Sequence, residues 1–242
     1  YTWALISDHH EQTRQLVFHP AVSAEQCKKL IAQFTQPDYT TLGSFCLTSA
    51  FSSNLNEQAY QQSFDTIRRY IAAGDCYQVN FTQRFQAQCV GDPLSAYRAL
   101  RQACPTPFAA YLSLPDAGAI LSLSPERFLQ VSGDRVETRP IKGTRPRGIN
   151  AEEDQKLAAE LLHSPKDRAE NLMIVDLLRN DLGRSCATGS VKVPELFALE
   201  SYPNVHHLVS SVTGQLAPGK DALDLLAGSF PGGSITGAPK IR

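Results

Sequence analysis

Residues 108–114, 119–123, 128–131 and 135–138 are short runs rich in apolar, β-branched and aromatic side chains, and only three or four residues separate each run from the next. Gaps that short cannot house a crossover helix. Strands made from these runs must therefore return antiparallel, and any helices must cover the sheet as separate layers. The expectation is an α+β chain.

The helical signals are of the covering kind. In residues 56–73, Tyr60, Phe64, Ile67 and Ile71 recur at spacings of four, three and four, which makes one apolar face, and Gly74 supplies the stop. Further helices are predicted over 23–34, 93–103 and 152–163. Ser164-Pro165-Lys166-Asp167 then restarts a helix with a capping serine, proline at the first position and an acid at the third. This helix runs to about Asp181, with Gly183 ending it. Residues 1–20 read as a strand pair whose second member is Gln15-Leu16-Val17-Phe18, and residues 76–85 alternate as a strand. Residues 35–54, rich in Thr, Ser and turn formers, read as a linker crossing the surface. There is no internal repeat.

Composition narrows the function classes. The chain has 242 residues, 42% hydrophobic and 19% charged, ordinary for a globular protein. A formal net charge of −1 gives no long-range field to recruit nucleic acid or an anionic membrane, so an acidic substrate must be held by locally placed groups. The six cysteines include no Cys-x-x-Cys pair, which argues against a zinc site or a disulfide framework and fits a reducing cytoplasm. No stretch reaches the roughly 18 uninterrupted apolar residues of a membrane helix, and no signal segment is evident. The chain opens on what reads as a strand already in progress, and it stops just after Pro239, which reads as opening a helix. The expectation is a piece of a longer protein.

Several residues could carry chemistry. Lys142 sits in Pro140-Ile141-Lys142-Gly143-Thr144, between a turn former and a glycine that permits close backbone approach. A lysine partly desolvated there becomes a nucleophile, and the alternative is a strand-end lysine snorkelling to water. On the helix after Ser164, Ile174 and Leu177 fall within roughly 40° of Glu170, and Asp181 within about 20°. Two carboxylates on one inward face suit a hard divalent cation or separate basic partners. An acid interacting with the helix dipole, or paired with Arg168 or Lys166, is the plainer alternative.

The run Gly232-Gly233-Ser234-Ile235-Thr236-Gly237 removes side chains so that backbone N–H groups can converge on an oxyanion, or it is a plain loop before a helix. Glu126, in Ser124-Pro125-Glu126-Arg127-Phe128, is either a general acid or a solvated partner of Arg127, and its exposure decides between them. His206 and His207 are adjacent, so in a strand they point to opposite sides: one is expected to be structural and one functional.

Taken together, Gly74-Asp75-Cys76-Tyr77-Gln78-Val79-Asn80, the stretch around Glu126, the Lys142 pentapeptide, residues 167–181, His206-His207-Leu208-Val209-Ser210 and residues 231–240 resemble the chorismate-utilising enzymes, from Tyr1 to Arg242. The resemblance implies the layered α/β/β/α sandwich of the chorismate-binding fold, here an incomplete portion. Residues 1–50 would be the remainder of an N-terminal region and linker, and 51–242 a catalytic domain truncated at its C-terminus. Two positions choose within the family. Anthranilate synthases have alanine where this sequence has Lys142, whereas members that aminate chorismate at C4 carry a lysine there as a covalent nucleophile. Isochorismate and salicylate synthases use a lysine to activate water where this sequence has Gln78, so Gln78 favours ammonia over water.

The resemblance thus implies amination of chorismate at C4. Lys142 would be the nucleophile, Glu126 the proton donor, and His207 a further active-site residue near the ring carboxylate. Gln78, Thr144, Thr236, Gly237 and Ala238 would hold substrate, and Glu170 would be a ligand of Mg2+. Ammonia would come from a glutamine amidotransferase subunit, and a distinct lyase would act on the product. Pro107, Phe108 and Ala109 look like part of the family's tryptophan pocket, so tryptophan is a further expected ligand, while nucleic acid and membrane are not. An anthranilate synthase, or a catalytically silent binding module, are the rivals.

Overall fold

In a computed structural model, residues 1–35, 43–115 and 118–240 are described. They fall in two compact units, Tyr1–Gly43 and Ser44–Arg242. In the first, β1 (Trp3–Asp8) and β2 (Thr13–Phe18) form the expected antiparallel hairpin, followed by α1 (Ala24–Thr35).

The second unit begins with β3 (Phe45–Leu47) and β4 (Ser52–Ser53), and the linker expected over 35–54 is corrected here. Residues 36–42 of that stretch lie outside the described residues, but β3 pairs with β7 (Cys89–Gly91) and β4 with β6 (Phe85–Gln86). Strands of two or three residues carry too little pattern to be read from sequence. Between them α2 (Glu57–Ala73) ends as expected at Gly74, which takes the left-handed conformation, and it starts one residue later than expected because Asn56 is its cap, the side chain accepting from the Ala59 N–H. The strand expected over 76–85 is also corrected, because only β5 (Gln78–Val79) and β6 are extended and paired. Asn54 bonds the backbone of Arg84, and Asn80 donates to the carbonyls of Thr236 and Ser234, which diverts the chain between the two short strands.

Next come α3 (Pro93–Ala103), β8 (Phe108–Ser113), β9 (Ala119–Ser124), β10 (Gln130–Ser132), β11 (Arg135–Thr138) and β12 (Ile141–Pro146). The strands are antiparallel as expected but do not form one series. The β8–β9 hairpin is a sheet by itself, while β10 and β11 belong to a five-stranded sheet. The spine of that sheet is β14 (Val205–Gln215), which takes β11 along Val212–Gln215 and β12 along Val205–Val209 on one edge, and β13 (Lys192–Ser201) from His206 to Thr213 on the other.

Against this sheet pack α4 (Ala151–His163) and α5 (Pro165–Gly183), with Ser164 capping α5 by accepting from the Asp167 N–H. The buried stripe of α5 is Asn171, Ile174, Val175, Leu178, Asp181 and Leu182, a repeat of three and four. With Val136, Val212 and Leu225 its apolar members form the core, each stabilising the fold by about 1.5–3 kcal/mol on burial. Asn171 keeps its place in the stripe because it donates to the Leu208 carbonyl and accepts from the Ser210 hydroxyl. The chain then runs through α6 (Ala222–Ser229), a helical turn α7 (Gly233–Thr236) and β15 (Gly237–Ala238), which pairs with β5. The glycine-rich run is thus not a bare loop, since its helical turn precedes a strand. Any helix opened by Pro239 falls beyond Lys240, outside the described residues.

Candidate functional site

The position of Lys142 follows from one irregularity. Ile141 pairs with Val209 and Thr144 with His207, so β12 carries a bulge at Lys142 and Gly143. Gly143 has φ +99°, and a Cβ there would meet the Leu161 side chain at 2.9 Å and Asp167 at 3.0 Å, so glycine is required on both counts. The bulge turns Lys142 towards α5, where its Nζ lies 4.0 Å from Glu170 Oε1. The lysine side chain is only 16% exposed. It does not snorkel.

Glu170 sits at the rim of the buried stripe, 35% exposed, and does not pair with Arg168, whose guanidinium stacks 4.3 Å over the Phe197 ring. Of the four carboxylates of α5, the two predicted to share one face have separate basic partners: Glu170 has Lys142, and Asp181 has Lys240 at 2.9 Å. Glu170 and Gln78 line one open cavity of about 770 Å³, together with Tyr77 and Met173. The Gln78 side-chain oxygen is buried there without a hydrogen-bond partner. Among the described residues no three His, Cys, Asp or Glu side chains cluster as a metal cage. Glu170 presents one hard oxygen donor to the cavity, the kind of ligand a magnesium ion takes while retaining waters.

Glu126 is held from both ends of its turn. The Ser124 hydroxyl accepts from the Glu126 N–H and donates to the Glu126 carbonyl, while Oε1 accepts from the Ile141 N–H at 3.2 Å. Arg127 turns away to Glu137 at 2.6 Å, so Glu126 is no solvated partner of its neighbour. Burial pushes the Glu126 carboxyl above its ordinary value, against the smaller lowering effects of the Ile141 N–H and the Lys142 charge. A carboxyl whose hold on its proton is strengthened by burial, next to a lysine, is placed to donate that proton. Glu126 also lines a cavity of about 330 Å³ whose far wall is Phe230, Pro231, Gly232, Gly233, Ser234 and Ile235.

The two histidines divide as their alternation requires. His206 is buried, with Nδ1 2.8 Å from the Ser201 hydroxyl and Nε2 3.0 Å from Asp154, and is structural. His207 faces the other side, with Nδ1 2.9 Å from Thr144 Oγ1 and the Tyr202 ring edge-on. Burial lowers its affinity for a proton, offset in part by Glu200. Thr236, Gly237 and Ala238 come beside Gln78: Tyr77 and Asn80 donate to the Ala238 and Thr236 carbonyls, and a Cβ on Gly237 would strike the Gln78 carbonyl at 2.4 Å. Phe108, on the exposed start of β8 after Pro107, lies under the Arg127 guanidinium at 5.8 Å, and Ala109 is half-buried behind it. Sequence reasoning missed the Lys240–Asp181 pair and the contact of Tyr202 with His207. Both join residues far apart in the chain or across a turn, and no local pattern announces them.

Residues 1–242 match the family model described as chorismate binding enzyme. The chain is 52% identical to aminodeoxychorismate synthase component 1 of Escherichia coli (strain K12), over all of this chain and 52% of that protein. It is 41% identical to the protein of the same name from Bacillus subtilis (strain 168), over 98% of this chain and 52% of that one. Anthranilate synthase component I from Streptococcus pneumoniae TIGR4 shares the fold at a TM-score of 0.84 and 32% identity, across all of this chain and 55% of that one. The chain spans about half the length of the curated relatives it matches, and so represents part of their domain. Its mixed helix and antiparallel-sheet architecture, the Lys142 bulge and a match without gaps in coverage from end to end have one common reading: the chain belongs to the family of chorismate binding enzymes.

Proposed function

We propose that this chain is part of an enzyme that aminates chorismate at C4, giving 4-amino-4-deoxychorismate for p-aminobenzoate formation. The observation that carries the reading is the setting of Lys142: a bulge aims its shielded amine away from solvent, beside a carboxyl whose proton affinity burial raises. The amine form of Lys142 attacks ring carbon C2. The ring double bonds shift, and the C4 hydroxyl leaves as water with the proton of Glu126. Ammonia then forms a bond to C4, the double bonds return, and the C2–lysine bond breaks. Glu170 would hold a magnesium ion, which when bound neutralises the ring carboxylate. Thr144 and His207 orient the ring, and Gln78 with the Thr236–Ala238 backbone closes the opposite side. The ammonia would come from a glutamine amidotransferase subunit, in keeping with the name component 1 borne by the relatives.

The test uses the full-length protein containing this chain, given chorismate, magnesium and ammonium, with and without aminodeoxychorismate lyase. Lyase-dependent p-aminobenzoate is the expected product, lost in Lys142→Ala. Fluorescent anthranilate formed without the lyase would place the amination at C2 and make the chain an anthranilate synthase portion.

A further inference from the structure

The segment from Phe230 to Pro239 contributes one wall of the Glu126 cavity and, through Gly237 and Ala238, the strand beside Gln78. Both of its ends meet at one side chain. Lys240 Nζ donates to the carbonyl of Ser229, the last residue of α6, at 2.6 Å, and to Asp181 Oδ1 on α5 at 2.9 Å. The lysine side chain is 9% exposed and the aspartate 1%. A cation at the C-terminal end of a helix also meets the negative end of its dipole. The other oxygen of Asp181 is buried without a partner, so among the described residues Lys240 alone balances that charge.

The segment touches α5 a second time. A Cβ on Gly233 would overlap the Leu177 side chain at 1.7 Å, and Leu177 is one helical turn before Asp181. Gly233 against Leu177 and Lys240 on Asp181 therefore fix the loop at two successive turns of one helix, the same helix that carries Glu170.

We propose that Lys240 is a positioning residue: it clasps both ends of the 230–239 loop to α5 and α6 and thereby holds the wall of the substrate cavity in its binding form. It touches no reacting atom. The inference rests on the functional reading above only in naming chorismate as the molecule whose binding the clasp serves.

A buried pair replaced on one side leaves an uncompensated charge, whereas replacement of both partners by apolar residues often preserves the fold. The informative variant is therefore the double change Lys240→Met with Asp181→Leu, made in the full-length protein beside Lys240→Arg. Amide hydrogen exchange across residues 230–239 is expected to quicken by about tenfold or more in the double variant while the rest of α5 stays protected. KM for chorismate is expected to rise by about tenfold, with kcat within about threefold of wild type, and Lys240→Arg should recover part of both. A folded double variant with wild-type protection in the loop would overturn the clasp. So would faster exchange with KM unchanged, which would leave Lys240 with a structural role only. Wild-type protein that turns over no chorismate would sink the proposed function instead, and the exchange comparison would still decide the clasp.

Discussion

At the scale of single residues, Gly143 determines where Lys142 points, since its positive φ and the closeness of Leu161 and Asp167 leave no room for a side chain. Gly143→Ala is expected to cost about 1–3 kcal/mol in denaturant unfolding, the usual range for backbone strain, and to lower activity by displacing the amine. Unchanged activity in a destabilised variant would separate the bulge from the chemistry. Glu126 gives a pH prediction. Its raised pKa favours the fold below the ordinary value of 4.5, and that contribution is lost as pH rises through the folded value. The same titration removes the proton to be donated, so kcat should fall along this alkaline limb, and Glu126→Gln should lower kcat by roughly 10²–10⁴-fold and abolish the limb. Lys142 and Glu126 were legible in sequence as candidates because Gly143 follows the one and Pro125 precedes the other. Their environments were not, because Ile141, Leu161 and α5 reach them only after the sheet has formed.

Among the elements, α2, α3 and α5 were legible almost to the residue because each carries its own punctuation: Asn56 and Gly74, Pro93, and Ser164 with Pro165. The strands were legible one by one but their pairing was not, because β11 and β12 both pair with β14, some seventy residues later, and β10 owes its sheet to β11 rather than to β9. The N-terminal end of β14 is anchored by Asp154 on α4, which accepts from Arg147 at 2.7 Å and from the Gly148 N–H at 2.8 Å and lies 3.0 Å from His206. The Arg147 guanidinium holds the Asp154 carboxyl well below the ordinary value of 3.8. Its contribution is present above that value and is lost as pH falls through the lower, folded one. Acid unfolding followed by circular dichroism should therefore begin at higher pH in Asp154→Asn than in wild type. Coincident acid transitions would mean that the anchor contributes nothing.

For the whole molecule, the second unit carries its core between α5, α6 and the β14 sheet, while Phe51, Tyr77, Phe230 and Ile235 remain exposed. Apolar exposure of this kind marks ligand grooves, as for Tyr77, Phe230 and Ile235 in the cavity walls, or surfaces that other protein covers, and the relatives are about twice as long. The isolated chain should bind a hydrophobic dye such as ANS more strongly, per mole, than the full-length protein, and equal binding would show that those side chains stay open. No helix among the described residues is long and apolar enough to cross a membrane. The central claim concerns Lys142, and intact mass spectrometry of full-length protein incubated with chorismate and magnesium, ammonia withheld, tests it most directly. The expected result is an adduct of chorismate less one water, mapped by peptide digestion to Lys142 and lost in Lys142→Ala. Absence of the adduct, with Lys142→Ala still forming 4-amino-4-deoxychorismate once ammonium is added, would contradict it.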